Sequence, residues 1–404
     1  MNAISTFLRE LPLKPQGIIV VIAAFLPIIA IVAMGPAVPT MIEHFASDPD
    51  ARRDVPAMIG APGLAMALLA PFAGMLIDRF GRKRLLLVST LLYGVFGSAP
   101  FLLDNLDHIY LSRLLLGVSE AGILTAVNTL IGDYWDDRGR KNWLFLQGLL
   151  GPFLAALVSL LVGYATKLQW NGVFLVYLIA FPIFAAMLVW LFEPRPSDDK
   201  PSEAAAPQAA PAGPFPFGPA LMVAAATLFV SMLYYVFIIN GALVFAEVGV
   251  TEPDRYGRLI FFPSLCILLG AGLFRLLAHK SNVLQIGVLL ALLGGGLAGM
   301  GLAETVPQII AALVVQQTAA GMAVPTLIAW AQTKFDFAHR GRGMGIWTAA
   351  FFLGQSQSPR LVHLIDTHAG SMQGAFLLAG LVGVAGALVA LVMALGQRSN
   401  RAAA

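Results

Sequence analysis

Gly74-Met75-Leu76-Ile77-Asp78-Arg79-Phe80-Gly81-Arg82-Lys83-Arg84 joins two apolar runs, at roughly 55–77 and 84–103. A connection this short needs a residue that can take positive φ, and Gly81 supplies it. Gly74 lets its helix approach a neighbour closely. Asp78 sits where it can face the N-terminal end of another helix. Arg79, Arg82 and Lys83 hold the loop in water on one side of a bilayer. A generic basic loop explains the three basic side chains, but neither the glycines nor the aspartate.

Outward from this loop the pattern repeats. A helix crosses hydrocarbon in about 20 residues, and twelve apolar runs of about that length follow one another. The first six lie at 17–39, 55–77, 84–103, 109–131, 143–165 and 172–192. The second six lie at 219–245, 257–278, 283–302, 306–330, 343–364 and 372–396. The first run is too long for a signal-peptide core and lacks a cleavage site, so it is expected to remain. The chain has 404 residues, 58% hydrophobic and only 12% charged. Its mean hydropathy is +0.80. A water-soluble surface needs far more charge than this. The expected fold class is therefore all-α integral membrane, twelve transmembrane helices in two six-helix bundles.

The same composition excludes several chemistries. A single cysteine, Cys266, leaves no disulfide framework and no thiolate metal site, and no metal or cofactor is expected. None of the seven lysines follows a glycine, so there is no phosphate-binding loop for ATP. Neither a zinc-protease helix motif nor a nucleophile elbow is present. A lipid-modifying transferase would need a catalytic cluster, which only Asp133, Asp136 and Asp137 approximate. The net charge of +3 calls for no nucleic-acid partner. It follows from orientation: eighteen Lys and Arg fall on one set of connections and five on the other. By the positive-inside rule both termini are cytoplasmic, in the cell inner (plasma) membrane. Between the bundles, at 1–193 and 219–404, the Pro- and Ala-rich stretch 194–218 reads as a cytoplasmic linker. The halves echo each other: Arg138-Gly139-Arg140 recurs as Arg340-Gly341-Arg342, 202 residues later. Parallel repeats of this kind place a solute path between the halves, at the midplane.

The loop resembles the signature loop of the major facilitator superfamily of secondary transporters, G-x-L-x-D-R-x-G-R-(K/R)-(K/R), at every charged and glycine position. The resemblance implies two bundles rocking about a central cavity. It also implies that Asp78 helps latch the cytoplasmic side, with a contact expected near Arg342–Gly345. On the fourth helix, Arg113 and Gly117 are similar to the superfamily's motif linked to proton transfer. The continuation to Glu120-Ala121-Gly122 is closer to the organic-anion symporters and spinster-like transporters. Gly151-Pro152 partly matches an antiporter motif on the fifth helix, but Gln147 and Ala155-Ala156 depart from it. The first helix lacks the embedded acid of many proton-driven drug exporters.

Few ionisable residues fall well inside a span. Arg113 and Glu120 do, and seven residues of helix place them on one face about 10 Å apart. A lone charge at that depth costs about 2.5–3.5 kcal/mol on insertion scales, so both should face a cavity or a partner. Burial and a neighbouring guanidinium pull the proton affinity of a carboxyl in opposite directions. Glu120 is therefore the expected proton carrier, with Arg113 beside it; a permanent ion pair between helices is the structural alternative. Candidate solute contacts are Asn128, Gln147, Tyr234, Tyr235, Asn240, Gln316, Gln317, Gln355 and Arg360. Gly35-Pro36, Pro39, Pro62-Gly63 and Pro325 suit helices that bend. The expected function is proton-coupled transport of small amphipathic or anionic organic solutes by a monomer in the lipid bilayer. Export by alternating access comes first, and organic-anion or lysolipid symport is the alternative.

Overall fold

The computed structural model describes residues 15–135, 137–194, 214–336 and 339–403. Among these residues, eleven helical stretches are both long and apolar enough to cross a membrane. In chain order they are α1 (Pro15–His44), α2 (Ala51–Phe72), α3 (Arg82–Leu102), α4 (Leu106–Tyr134), α5 (Asp137–Leu168) and α6 (Gly172–Trp190). The second set is α7 (Phe217–Glu247), α8 (Pro253–Leu276), α9 (Asn282–Gly301), α10 (Val306–Gln332) and α12 (Met372–Ala403). The twelfth segment, α11 (Arg340–Ala369), is long enough at 30 residues. It is less apolar than the other eleven because Arg340, Arg342, Gln355, Gln357, Arg360, His363 and Asp366 share it. Its buried face nonetheless packs it among the others. The twelve-helix fold expected from the apolar runs is the one observed.

Local chemistry sets the element ends. Asn105 accepts a hydrogen bond from His108 N (3.1 Å) and caps α4. Ser281 accepts from Leu284 N (3.3 Å) and caps α9. Thr305 and Gln308 form a capping box at α10. Gly81, at φ 76°, takes the positive φ expected of it and separates Ala73–Phe80 from α3. Two further helix starts are held by carboxylates from distant helix ends. Glu193, just past α6, accepts from Arg82 N and Lys83 N at 2.8 Å each. Glu247, the last residue of α7, accepts from Met372 N and Gln373 N at 2.7 Å each. Both place negative charge where helix amides are unpaired.

Proline shapes α1. Pro27, Pro36 and Pro39 each lack the amide that would bond four residues back. The helix accordingly runs as Pro15–Ala24, Leu26–Val32, a 3-10 turn at Gly35–Ala37, and Val38–His44. Carbonyls near these breaks become acceptors for other helices. Tyr93 Oη donates to Leu26 O at 2.6 Å.

The Gly74–Arg84 segment and the start of α11 at Arg340–Arg342 share one end of the molecule, called here the basic end. At the opposite, far end the halves touch along two seams. On the first, Gly60 and Gly63 of α2 admit Gln355 and Pro359 of α11. On the second, Gly163 of α5 meets Pro253 and Asp254 of α8, and Gly257 meets Ser159 and Leu160. Small residues let these backbones close without hydrophobic driving force between helices. Linker residues 195–213 lie outside the described residues.

Candidate functional site

Between the seams lies a cavity of about 540 Å³, walled by α1, α5, α7, α8 and α10. Kinked α1 contributes Ile28, Val32 and Pro36, and α5 contributes its Gln147–Ser159 face. Tyr234 and Phe237 come from α7, Tyr256 and Ser264 from α8, and Gln317 and Val324 from α10. Pro152 and Gly151 stand in this wall, where their small size widens it. Gly148 fronts open space, with nothing within 4 Å of where a Cβ would sit.

Of the residues expected to touch a solute, Gln147, Tyr234 and Gln317 line this cavity. Asn128 lines a smaller one of about 340 Å³ between α2, α4 and α11, with Thr125, Thr129 and Thr348. The others are turned elsewhere. Tyr235 is buried edge-on to Tyr234 (centroids 5.0 Å apart) and against Phe351 (5.7 Å). Asn240 donates to Val236 O of its own helix at 3.2 Å. Gln316 is fully buried where α9 presents Gly296 to it, and neither amide atom has a described partner. Gln355 fills the α2–α11 seam. Arg360 reaches across the far end to Tyr110 Oη at 3.3 Å. Ser231 donates to Phe351 O at 2.5 Å and so ties α7 to α11. α7 and α10 are apolar on every side, so spacing placed their polar residues at the right depth without fixing which way each points.

Glu120 and Arg113 are both buried, at 2% and 0% exposure. Their bonding differs from a simple pair. Arg113 Nη1 donates to Tyr177 Oη at 2.6 Å, and Arg113 Nη2 donates to Ala30 O at 3.2 Å. Tyr177 Oη in turn donates a hydrogen bond to the same Ala30 carbonyl at 2.9 Å. The guanidinium also lies 5.1 Å from the Tyr177 ring centroid. Arg113 thereby fastens α4 to α6 and to the broken α1. Glu120 forms no described ion pair, and its Oε1 is buried without a hydrogen-bond partner. Tyr177 and Tyr93 were not singled out by the sequence. An aromatic in an apolar run gives no sign that its hydroxyl serves a buried guanidinium.

In the basic loop, Arg82 Nε pairs with Asp133 Oδ2 at 3.1 Å. Its backbone, with that of Lys83, is held by Glu193 as described above. Arg79 is exposed, with its guanidinium 5.9 Å from the Phe80 ring centroid. Arg342 is exposed at the start of α11. Gly74 and Asp78 lie in the helix Ala73–Phe80, but the packing at Gly74 and the side chain of Asp78 are not described, so the contact expected between Asp78 and α11 is not described either. In the α10–α11 connection, hydrogen bonds from the His339 ring (2.7 Å) and backbone (3.0 Å) hold the Asp336 carboxyl below its ordinary range. Among the described residues no cluster of three or more His, Cys, Asp or Glu could hold a metal ion.

A family model described as Major Facilitator Superfamily matches residues 20–283 and 277–403. The chain is 31% identical over 116 residues to the efflux pump dotC of Dothistroma septosporum, covering 28% of this chain and 20% of that protein. It is 26% identical over 203 residues to the 4-hydroxybenzoate transporter PcaK of Pseudomonas putida, covering 47% and 43%. Each match thus spans less than half of the curated relative. Among solved structures, the fold is similar to a bacterial homologue of the human lysosomal transporter Spinster, in an inward-facing and occupied conformation. The TM-score is 0.70 at 16% identity, over 94% of both chains.

Proposed function

The chain belongs to the Major Facilitator Superfamily, and on that premise we propose that it exports small amphipathic organic solutes by proton antiport. Residues 1–193 and 219–404 act as the two rocking bodies, joined by the linker 194–218. The protein works as a monomer in the inner membrane with both termini cytoplasmic. Solute occupies the cavity between the halves, and Glu120 carries the proton.

One observation supports the coupling role above others: Glu120 is buried on α4 with an unpartnered carboxyl oxygen and no described counter-ion. A buried carboxylate with neither counter-ion nor full hydrogen bonding is costly, so burial of this side chain is linked to proton uptake. Rocking that gives it water releases the proton. Arg113 is committed to Tyr177 and Ala30, so it acts on Glu120 through its charge from about two turns away.

The test is gradient-driven flux in proteoliposomes with an imposed pH difference, comparing wild type with Glu120→Gln. Antiport predicts that flux against a solute gradient falls to the level of empty liposomes in the variant, while solute exchange without a gradient persists. Uphill flux surviving Glu120→Gln would remove the residue from the coupling role. A second reading, organic-anion or lysolipid symport, draws on the Glu120-Ala121-Gly122 pattern and on the relative named for 4-hydroxybenzoate. The direction of uphill flux relative to the proton gradient separates the two.

A further inference from the structure

The wall of the 540 Å³ cavity gathers several unbonded polar groups around one space. Six side chains in it carry polar groups: Gln147 and Ser159 on α5, Tyr234 on α7, Tyr256 and Ser264 on α8, and Gln317 on α10. None makes a hydrogen bond to another described residue, and Gln147 Oε1 is buried without a partner. Elsewhere in the spans Ser231, Ser358, Thr318 and Asn240 are bonded to backbone carbonyls, while unbonded side chains such as Thr90, Thr227, Gln316 and Thr326 are buried and do not face this space. Buried polar groups are normally satisfied, so a set left open around one space is a set of contacts for whatever fills it.

The charge of the wall is equally specific. No Arg, Lys, His, Asp or Glu stands among its described residues. The nearest buried guanidinium, Arg113, is turned away to Tyr177 and Ala30. A carboxylate or ammonium entering this space would shed its water and meet no opposite charge, whereas a neutral amide or hydroxyl would find both donors and acceptors. Phe237, Tyr234 and Tyr256 give flat faces for an aromatic body.

We propose that this cavity selects uncharged aromatic amphiphiles whose amide or hydroxyl groups bridge Gln147 of the first half and Gln317 of the second. The inference rests on the transport reading above and narrows its solute class to the neutral member. Because the amides belong to different halves, the bound solute adds a bridge between the two walls.

The experiment uses three probes of one shape in lipid nanodiscs, with no pH gradient: 1-naphthaleneacetamide, 1-naphthaleneacetate and 1-naphthylmethylammonium. Binding is read by naphthalene fluorescence against empty nanodiscs. Wild type is expected to bind the amide about tenfold or more tighter than either ion, the expected penalty for a fixed charge without a partner. Gln147→Leu and Gln317→Leu should each weaken amide binding about two- to tenfold, the usual worth of a neutral hydrogen bond. Gln317→Lys should invert the preference toward the acetate, a gain that a merely misfolded variant cannot show. Equal or tighter binding of the acetate by wild type overturns the proposal. So do Leu variants that bind the amide unchanged, or no binding of any probe by folded protein. Failure of Glu120→Gln to abolish uphill flux, with this preference intact, would sink the coupling role alone.

Discussion

Arg113 shows how a charge is made tolerable at bilayer depth. Its two Nη atoms are spent on Tyr177 and Ala30, and Tyr177 in turn donates to Ala30. Ala30 precedes the Gly35–Ala37 turn, where Met34 N bonds Ile31 O at 3.3 Å and α1 has begun to leave regular geometry. With the Met34 amide turned to Ile31, the Ala30 carbonyl is left for the arginine. Tyr177→Phe removes one acceptor of the guanidinium and one donor to Ala30. We expect a loss of about 1–3 kcal/mol in stability, the cost of leaving buried polar atoms unsatisfied, read as a lower thermal midpoint in detergent. Arg113→Lys should cost at least as much, because an ammonium cannot reproduce the planar fork. If Tyr177→Phe were thermally silent yet abolished uphill flux, Arg113 would belong to coupling rather than to anchoring.

Element ends carry a second logic, visible only after folding. Glu193 and Glu247 each close the amino terminus of a helix far away in sequence, α3 and α12. An anion at a helix start contributes about 0.3–1 kcal/mol at exposed sites. Glu193→Gln should therefore shift stability by no more than about that amount. Its sharper effect should be local: faster amide hydrogen exchange at Arg82 and Lys83, with the Met372 and Gln373 amides unchanged. Glu247→Gln should give the mirror result.

What the sequence disclosed follows the same division. Span number was legible because apolar length is a one-dimensional property, and α11 could be counted despite its charges because Gly343–Leu364 keeps an apolar background. The need for positive φ at Gly81 was legible because the turn is short. Cross-chain partners such as Glu193 with Arg82, or Tyr177 with Arg113, were not, since nothing local marks them. Nor were the directions of Gln316 and Asn240, because a helix apolar all round has no polar stripe to orient it.

At the scale of the whole molecule, the far end is shut by two ion pairs set on opposite flanks. Arg52 at the start of α2 meets Asp366 near the end of α11 at 3.1 Å. Lys167 at the end of α5 meets Asp254 at the start of α8 at 3.2 Å. Both cations belong to the first half and both acids to the second, so the two faces attract as a unit. Arg258 shares Asp254 at 2.6 Å and touches Tyr164 Oη at 3.3 Å, which stiffens the α5–α8 seam further. Partly exposed pairs contribute about 0.2–1 kcal/mol each, so breaking one should shift the open-to-closed ratio at this end by at most about fivefold. Spin labels on Asp48→Cys and Glu304→Cys, in a Cys266→Ser background, report that ratio by pulsed distance measurement. Both positions are exposed, one in each half. Asp366→Asn should raise the population of the longer distance, and Arg52→Glu should raise it more, because it places like charges face to face. Combining Arg52→Glu with Asp366→Arg should return the distribution toward wild type. Added salt should weaken the wild-type preference in the same direction, since the cationic partners lie half in solvent. A distribution indifferent to Asp366→Asn, Arg52→Glu and added salt would mean that packing of Gly60, Gly63, Gly163 and Gly257 closes the far end by itself, with the ion pairs as bystanders.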